Sequence, residues 1–189
     1  MSWFFGQKPE KIYTSYKKQI EKEKAFLRQT DYQSVDFFHL NGYAAWAKIA
    51  STYDGDTSTL IFFLNGKPVK FRCRLADIDC AEKKSKDPAE VRHAEKAMEE
   101  FKYLASRSTD GLVYAKFHRF DKYGRLLVSL YNSPDDPYSF NDIMVGGGLA
   151  YEYNGGTRRA FREWALPRFW QNENTGATGI NDLSSVWKN

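Results

Sequence analysis

The sequence predicts an α+β fold, in which helices pack on a small closed β-barrel of the OB type, and an N-terminal helical extension precedes this body. Two observations support the prediction. From residue 42 onward, three strand-like segments, a helix, two strand-like segments and a second helix follow one another, and that count fits an OB-type barrel. The composition is 42% hydrophobic and 16% aromatic over 189 residues, which suffices for the core of one domain with short extensions.

Residues 1–41 are predicted to be an extension outside the barrel. Residues 10–29 are rich in Lys and Glu and carry a narrow apolar stripe at helical spacing. Its members are Ile12, Tyr16, Ile20 and Leu27. Just before the helix stand three large apolar side chains, Trp3, Phe4 and Phe5. Two interpretations stay open, because these side chains could fold back on the domain's own core or could anchor the chain to a protein partner or a membrane surface.

The first three strands are predicted over Tyr43–Thr52, Thr57–Leu64 and Val69–Leu75, where β-branched and aromatic residues are dense. Asn65-Gly66 lies between the last two of them. This dipeptide favours a two-residue hairpin turn, because both central residues of such a turn need positive φ.

A helix is predicted after Asp87-Pro88-Ala89-Glu90, with Asp87 as N-cap, Pro88 at the first helical position and Glu90 completing a capping box. Its apolar face would consist of Val91, Ala94, Met98, Phe101 and Ala105. A second hairpin is predicted from Leu112–Phe120 and Leu126–Tyr131. Ser139 is expected to cap a short helix that ends at the glycines 146–148.

The net charge of +4 permits a nucleic-acid partner without requiring one. Two cysteines exclude a disulfide framework and a zinc-type spacing. Cys73 is expected in the core and Cys80 in a loop, both as reduced thiols. No segment approaches the roughly 20 apolar residues of a transmembrane helix, and no signal peptide is evident at the start. The expected location is therefore intracellular or associated with a larger assembly.

Three short segments next to the strands carry paired charges: Asp54–Thr57, Arg74–Glu82 and Asp121–Arg125. Brought together, they would offer an acidic pair for a hard cation, a glutamate that could take a proton from water and two arginines for a phosphate. These are the groups needed to hydrolyse a phosphodiester. The three histidines, by contrast, stand in no metal-ligand context, which disfavours a histidine-based site.

With Gly148-Leu149-Ala150 following in order, these segments resemble the staphylococcal (micrococcal) nuclease, or thermonuclease, family over residues 42–157. The resemblance implies an OB-type barrel and calcium-dependent hydrolysis of DNA and RNA. It implies Asp56, Asp79 and the backbone carbonyl of Cys80 as Ca²⁺ ligands, Glu82 as the base or the residue that orients the water, and Arg74 and Arg125 as phosphate ligands. It also implies nucleotide contacts for Tyr123, Tyr151 and Tyr153.

The chain departs from the family pattern at two places. The loop reads Asp79-Cys80-Ala81-Glu82, whereas the family usually has Asp-Thr-Pro-Glu or Asp-Ala-Pro-Glu. Without the proline, Glu82 is expected to be less restrained and the rate to be lower. Tyr151 and Tyr153 also stand at a different offset from the Gly-Leu-Ala segment.

Four further residues near these segments have other expected roles. Asp54 is expected to be a turn residue, Asp77 a surface charge and Arg72 an exterior residue. Thr57 has two open interpretations, as an ordinary strand residue or as a hydroxyl that supports the metal ligands.

Residues 158–189 are predicted as a C-terminal helix and tail, with the helix over 158–170 broken near Pro167 and a nucleic-acid contact as the less favoured interpretation. The function predicted for the whole chain is a calcium-dependent endonuclease for DNA and RNA with little sequence specificity. The alternative is a structural or nucleic-acid-binding component of a larger assembly, for example a viral particle, with weak or no catalysis. The possible protein partner would bind through Trp3, Phe4, Phe5 and the 10–29 helix.

Overall fold

The computed structural model describes residues 9–108 and 110–165, with side chains from residue 13 onward. The chain divides into two compact units after Phe38. The first unit contains helix α1, Pro9–Gln29, and a 3₁₀ turn, Tyr32–Ser34, so the helix predicted over 10–29 is confirmed. Trp3, Phe4 and Phe5 lie outside the described residues, and the boundary predicted at residue 41 stays a prediction.

The second unit contains a closed five-stranded barrel and confirms the predicted OB-type α+β fold. The strands of this unit are β1 Ala44–Thr52, β2 Thr57–Leu64, β3 Lys67–Leu75, β4 Ile78–Cys80, β5 Val113–Phe120, β6 Leu126–Tyr131 and β7 Ala150–Glu152. Strands β4 and β7 form a small two-stranded sheet, and the other five form the barrel. The described helices of this unit are α2 Pro88–Ser106, α3 Phe140–Gly146 and α4 Phe161–Trp164. The barrel order is β1-β2-β3-β6-β5, and the β3–β6 pair is parallel while the other pairs are antiparallel.

The β2–β3 hairpin is formed as its turn residues predict. Asn65 and Gly66 have φ values of 51° and 75°, the left-handed conformation that a tight turn requires of both residues. The turn sets the register, in which Leu64 pairs with Lys67, and β3 therefore begins two residues earlier than its alternation indicated.

The barrel is filled by the inward-facing residues of the strands. Leu126, Val128 and Leu130 alternate along β6 and are fully buried, and Phe62 and Phe117 meet across the interior with ring centroids 4.2 Å apart. Each such side chain contributes roughly 1.5–3 kcal/mol by its burial.

Helix α2 covers the barrel with a face slightly rotated from the predicted one. Ala94 and Phe101 are buried as expected, whereas Ala97 and Leu104 lie at the centre of the buried face.

Asp87 is the N-cap of α2, and its carboxylate accepts a hydrogen bond of 2.9 Å from the Ala89 N–H. The predicted capping box with Glu90 is wrong. The Asp87 N–H donates to Ser85 Oγ, and Glu90 Oε1 instead accepts from the backbone N–H of Glu82 at 3.1 Å. Glu90 thus holds the acidic loop rather than its own helix end. The expected cap of α3 is present, where Ser139 and Asp142 form a reciprocal capping box.

The loop position predicted for Cys80 is also wrong. Cys80 ends β4, which pairs antiparallel with β7, and its side chain is buried. The partner strand comes about 70 residues later in the chain, so no local pattern could indicate it. Cys73 and Cys80 are both free thiols, and burial raises the pKa of Cys73 to about 12.

The C-terminal helix predicted over 158–170 is only partly present in the described residues. Helix α4 spans Phe161–Trp164, while Arg158 and Arg159 precede it in irregular chain, and Pro167 lies outside the described part. Among the described residues, no helix is long and apolar enough to cross a membrane.

Candidate active site

The charged segments meet in one open cleft with a volume of about 910 Å³. Its walls are the Asp54–Asp56 turn, the end of β3, strand β4, the loop after β5 and the loop after β7. The structure brings together the predicted site residues Asp56, Arg74, Asp79, Cys80, Glu82, Tyr123, Arg125 and Tyr153 along these walls. Tyr151 does not line the cleft, and its position is described below.

The turn before β2 presents Asp56. Asp54 Oδ1 accepts hydrogen bonds from the N–H groups of Asp56 and Thr57, at 3.2 and 2.8 Å, which confirms Asp54 as a turn residue. Gly55 permits a very close approach to α2 and β4, because a Cβ there would stand 2.7 Å from Ala97 Cβ and 3.1 Å from Cys80 Sγ. The turn is thereby fixed against the body of the domain.

Thr57 is the first residue of β2 and also contacts Asp56, so its role in supporting a metal ligand stays a prediction. Its hydroxyl donates to Asp56 Oδ1 at 2.7 Å, and the bond is buried. Burial raises the pKa of Asp56 above its usual range, and the negative charge of the nearby Asp54 carboxylate raises this pKa further. The Arg74 guanidinium and the Thr57 hydrogen bond act in the opposite direction, but they do not cancel the effect of burial.

Arg74 lies between the two buried carboxylates. Its Nε and Nη2 atoms contact Asp56 Oδ2 at 3.1 and 3.0 Å, Nη2 also donates to Asp79 Oδ1, and the Ile78 carbonyl accepts at 3.2 Å. Burial works to lower the pKa of Arg74, but the Asp56 and Asp79 carboxylates outweigh it and raise that pKa. One permanently charged side chain therefore holds the two acids side by side.

Tyr151 lies beneath Asp79 rather than in the cleft wall. Its side chain is 6% exposed, and its hydroxyl donates to Asp79 Oδ2 at 2.9 Å while accepting from the Arg159 N–H at 3.0 Å. Burial, together with the hydrogen bond to Asp79, raises the pKa of Tyr151 to about 12, so the hydroxyl keeps its proton near neutral pH. Its predicted contact with a nucleotide stays a prediction.

Asp121 organises the loop that carries Tyr123 and Arg125. Its Oδ1 accepts from the N–H groups of both residues, at 2.8 and 2.9 Å, and its Oδ2 accepts from Arg125 Nε at 2.7 Å. Although burial works to raise it, the hydrogen bonds from Arg125 and Tyr123 lower the pKa of Asp121. Arg125 is thus held by one edge, with Nη1 3.5 Å from Thr57 Oγ1. The Tyr123 ring lies against its guanidinium and is 72% exposed.

Sequence reasoning missed Arg158, which reaches into the site from the loop after β7. Its guanidinium donates to Asp79 Oδ2 at 2.5 Å, to the Cys80 carbonyl at 2.9 Å and to Glu82 Oε1. The pair Gly155-Gly156, with φ of 94° and 93°, turns the chain just before it. These two glycines are the only local signal, and they predict a turn without indicating its target.

The donor atoms fit a hard cation such as Ca²⁺. Two carboxylates and one backbone carbonyl are oxygen ligands, and water can complete a calcium shell. Asp56 and Asp79 share one nitrogen of Arg74, while Asp79 and the Cys80 carbonyl share the guanidinium of Arg158, so the three donors converge. In the described part of the chain, no three His, Cys, Asp or Glu side chains form a metal-ligating group, and the set depends on the carbonyl.

A model of the family described as staphylococcal nuclease homologue matches residues 72–174, which is more than half of the chain. The chain belongs to the staphylococcal nuclease family. The family match confirms the resemblance and includes Arg74, Asp79, Glu82 and Arg125, whereas Asp56 lies before its first residue. No curated protein matches the chain.

Proposed function

We propose that the protein is a calcium-dependent endonuclease that hydrolyses phosphodiester bonds of DNA and RNA with little sequence specificity. The observation that carries the proposal is the convergence of two buried carboxylates, one exposed glutamate and two arginines in a single open cleft. The family match supports a nuclease-type fold and gives no support to the alternative of a structural component with weak or no catalysis.

The proposed Ca²⁺ ligands are Asp56, Asp79 and the Cys80 carbonyl. When bound, the ion would stabilise negative charge on the phosphate oxygens. Neighbouring side chains orient the two carboxylates. Thr57 contacts Asp56, Tyr151 contacts Asp79, and Arg74 contacts both acids.

The arginines are proposed to bind the scissile phosphate. A planar guanidinium can donate two parallel hydrogen bonds to phosphate oxygens, and these bonds strengthen as charge develops in the five-coordinate transition state. Asp121 contacts only the Nε edge of Arg125, so the Nη atoms can still donate to a ligand. Arg74 would combine this role with its hold on the two acids.

Glu82 is proposed as the general base. Its side chain is 54% exposed, unlike the buried Asp56 and Asp79, and lies at the mouth of the cleft, where a water molecule can reach it. There it would take the proton of the attacking water. Its backbone is held by Glu90, which offsets part of the freedom expected from the missing proline.

Tyr123 and Tyr153 are proposed to contact the base or the sugar. Each ring lies beside one of the phosphate-binding arginines, with Arg125 Cζ 5.5 Å from the Tyr123 centroid and Arg74 Cζ 5.7 Å from that of Tyr153. Stacking on an aromatic ring is tolerant of base identity. Phosphate contacts likewise position a nucleic acid without reading its sequence, which accounts for the low specificity proposed.

The proposal is tested by incubating plasmid DNA and RNA with the protein in Ca²⁺, in Mg²⁺ and in chelator. We expect cleavage in Ca²⁺ that is abolished by chelator and falls by about 10²–10⁴-fold in Glu82→Gln, because the amide cannot take a proton. Glu99→Gln, at an exposed position of α2, is the matched control and should cleave normally. Equal cleavage by Glu82→Gln and Glu99→Gln would contradict the role of Glu82, and no cleavage in any ion by folded protein would contradict the function.

A further inference from the structure

We propose that Arg158 is a built-in competitor of Ca²⁺, which occupies the candidate calcium ligands when the ion is absent and leaves them when it binds. The inference rests on the calcium site of the proposed function and adds to it a residue that no part of that function requires.

The contacts of Arg158 carry the inference. Its three guanidinium nitrogens donate to three different groups: Nε to Asp79 Oδ2, Nη2 to the Cys80 carbonyl and Nη1 to Glu82 Oε1. Two of these acceptors are proposed calcium ligands and the third is the proposed base. A cation bound by Asp79 and the Cys80 carbonyl would need the oxygen atoms that accept hydrogen bonds from Arg158. The positive charges of the cation and the guanidinium would then lie next to the same ligands and repel each other.

Arg158 differs from Arg74 in how firmly it is held. The Arg74 side chain is 15% exposed and emerges from a barrel strand, whereas that of Arg158 is 42% exposed and belongs to a loop. Water can solvate the guanidinium once it leaves, whereas the Asp79 side chain is only 3% exposed, so its charge would be balanced by the incoming ion together with Arg74. Gly155 and Gly156 precede Arg158 in a loop free of regular structure, so the side chain can leave without opening the barrel.

The exchange would change the state of Glu82. Without the ion, Arg158 balances the charge of Asp79 and donates a hydrogen bond to the Glu82 carboxylate. With the ion in place, the guanidinium loses two of its three acceptors, and Glu82 becomes available to a water molecule. Arg158 is therefore a positioning residue whose removal should strengthen calcium binding and lower the stability of the calcium-free protein.

Isothermal titration calorimetry with CaCl₂ measures the competition directly in the wild type, Arg158→Gln and Arg162→Gln. Arg162 is the matched control, since it comes from the same segment, carries the same charge and pairs with Asp87 at 3.2 Å, away from the calcium ligands. If Arg158 occupies the ligands in about nine molecules of ten, its removal should strengthen calcium binding about tenfold. Arg162→Gln should change the affinity by less than about threefold, through long-range charge alone.

A second measurement needs no variant. An arginine-selective dicarbonyl reagent, followed by peptide mass spectrometry, reports the accessibility of each guanidinium in the wild type with and without calcium. Labelling of Arg158 should rise when calcium is added, while labelling of Arg162 stays constant.

The outcomes separate this inference from the proposed function. If Arg158→Gln binds calcium no more tightly than Arg162→Gln, or if calcium leaves the labelling of Arg158 unchanged, the competition is refuted, while calcium-dependent cleavage by the wild type still stands. If neither the wild type nor Arg158→Gln binds calcium, both the competition and the calcium site are refuted.

Discussion

The hydroxyl of Tyr151 offers a test of how the site is held together. Tyr151→Phe removes one oxygen and leaves the ring in place. That oxygen donates to the buried carboxylate of Asp79 and accepts from the Arg159 N–H. A hydrogen bond to a charged acceptor contributes roughly 1.5–3 kcal/mol. Because Arg74 and Arg158 still contact Asp79 in the variant, we expect a loss of about 2 kcal/mol in the free energy of unfolding.

Urea unfolding in chelator at pH 7.5, followed by circular dichroism, measures this loss. With a urea dependence of roughly 2 kcal/mol per molar, the unfolding midpoint should fall by about 1 M. The matched control is Tyr153→Phe, which removes a hydroxyl that donates to the uncharged Gly156 carbonyl at 2.7 Å in an exposed contact. For such a neutral bond we expect about 0.5–1 kcal/mol.

Kinetics of the same two variants separate the positioning role of Tyr151 from its predicted role in substrate binding. A positioning role predicts a lower kcat and a weaker calcium affinity, because Asp79 loses its orientation. Equal midpoints for Tyr151→Phe and Tyr153→Phe would refute the reasoning. A higher KM at unchanged stability would instead favour the substrate contact.

Three other perturbations give clear expectations. Burial lowers the pKa of His93 below its ordinary value of 6.5, so its contribution to stability is complete above pH 6.5 and is lost as the pH falls through the folded-state pKa. The wild type should therefore lose more stability than His93→Gln between pH 7.5 and 5.5 in urea titrations, and an equal loss would contradict the burial argument. Cys73 and Cys80 are buried, and burial raises the pKa of both thiols. A thiol-reactive disulfide reagent should therefore label neither cysteine in the native protein and both in denaturant. A thiol that reacts fast in the native protein would be inconsistent with this packing. Glu90→Ala removes the acceptor of the Glu82 N–H and should lower kcat about fivefold, the equivalent of about 1 kcal/mol. Glu90→Gln keeps an acceptor oxygen and should recover most of the rate, so equal rates for both variants would exclude this positioning role.

The barrel could be predicted because its signals are local. Asn65-Gly66 requires positive φ, and the alternation along Leu126–Tyr131 shows which side chains face the core. Each of these signals lies within a few residues of the element that it specifies. The three charged segments each follow or precede a strand of the barrel, and the structure places them in one cleft, while their catalytic roles stay a proposal.

The remaining features depend on contacts between distant parts of the chain. Cys80 lies in a strand because β7 pairs with it, and Glu90 serves the acidic loop because that loop returns to the start of α2. Arg158 stands 79 positions from Asp79, in a segment whose composition favoured a packed helix over a nucleic-acid contact and gave no indication of Asp79 as a partner. No periodicity or cap can reveal such a contact, since it exists only once the loop after β7 is folded against β4.

The most direct test of calcium-dependent catalysis is a calcium titration of the cleavage of a short single-stranded oligonucleotide by the wild type and by Asp79→Asn. If the two acids hold the catalytic ion, the wild-type rate should rise from near zero in chelator and saturate with calcium, and Asp79→Asn should stay near zero over the same range. A wild-type rate independent of calcium, or a folded Asp79→Asn that cleaves like the wild type, would contradict the account.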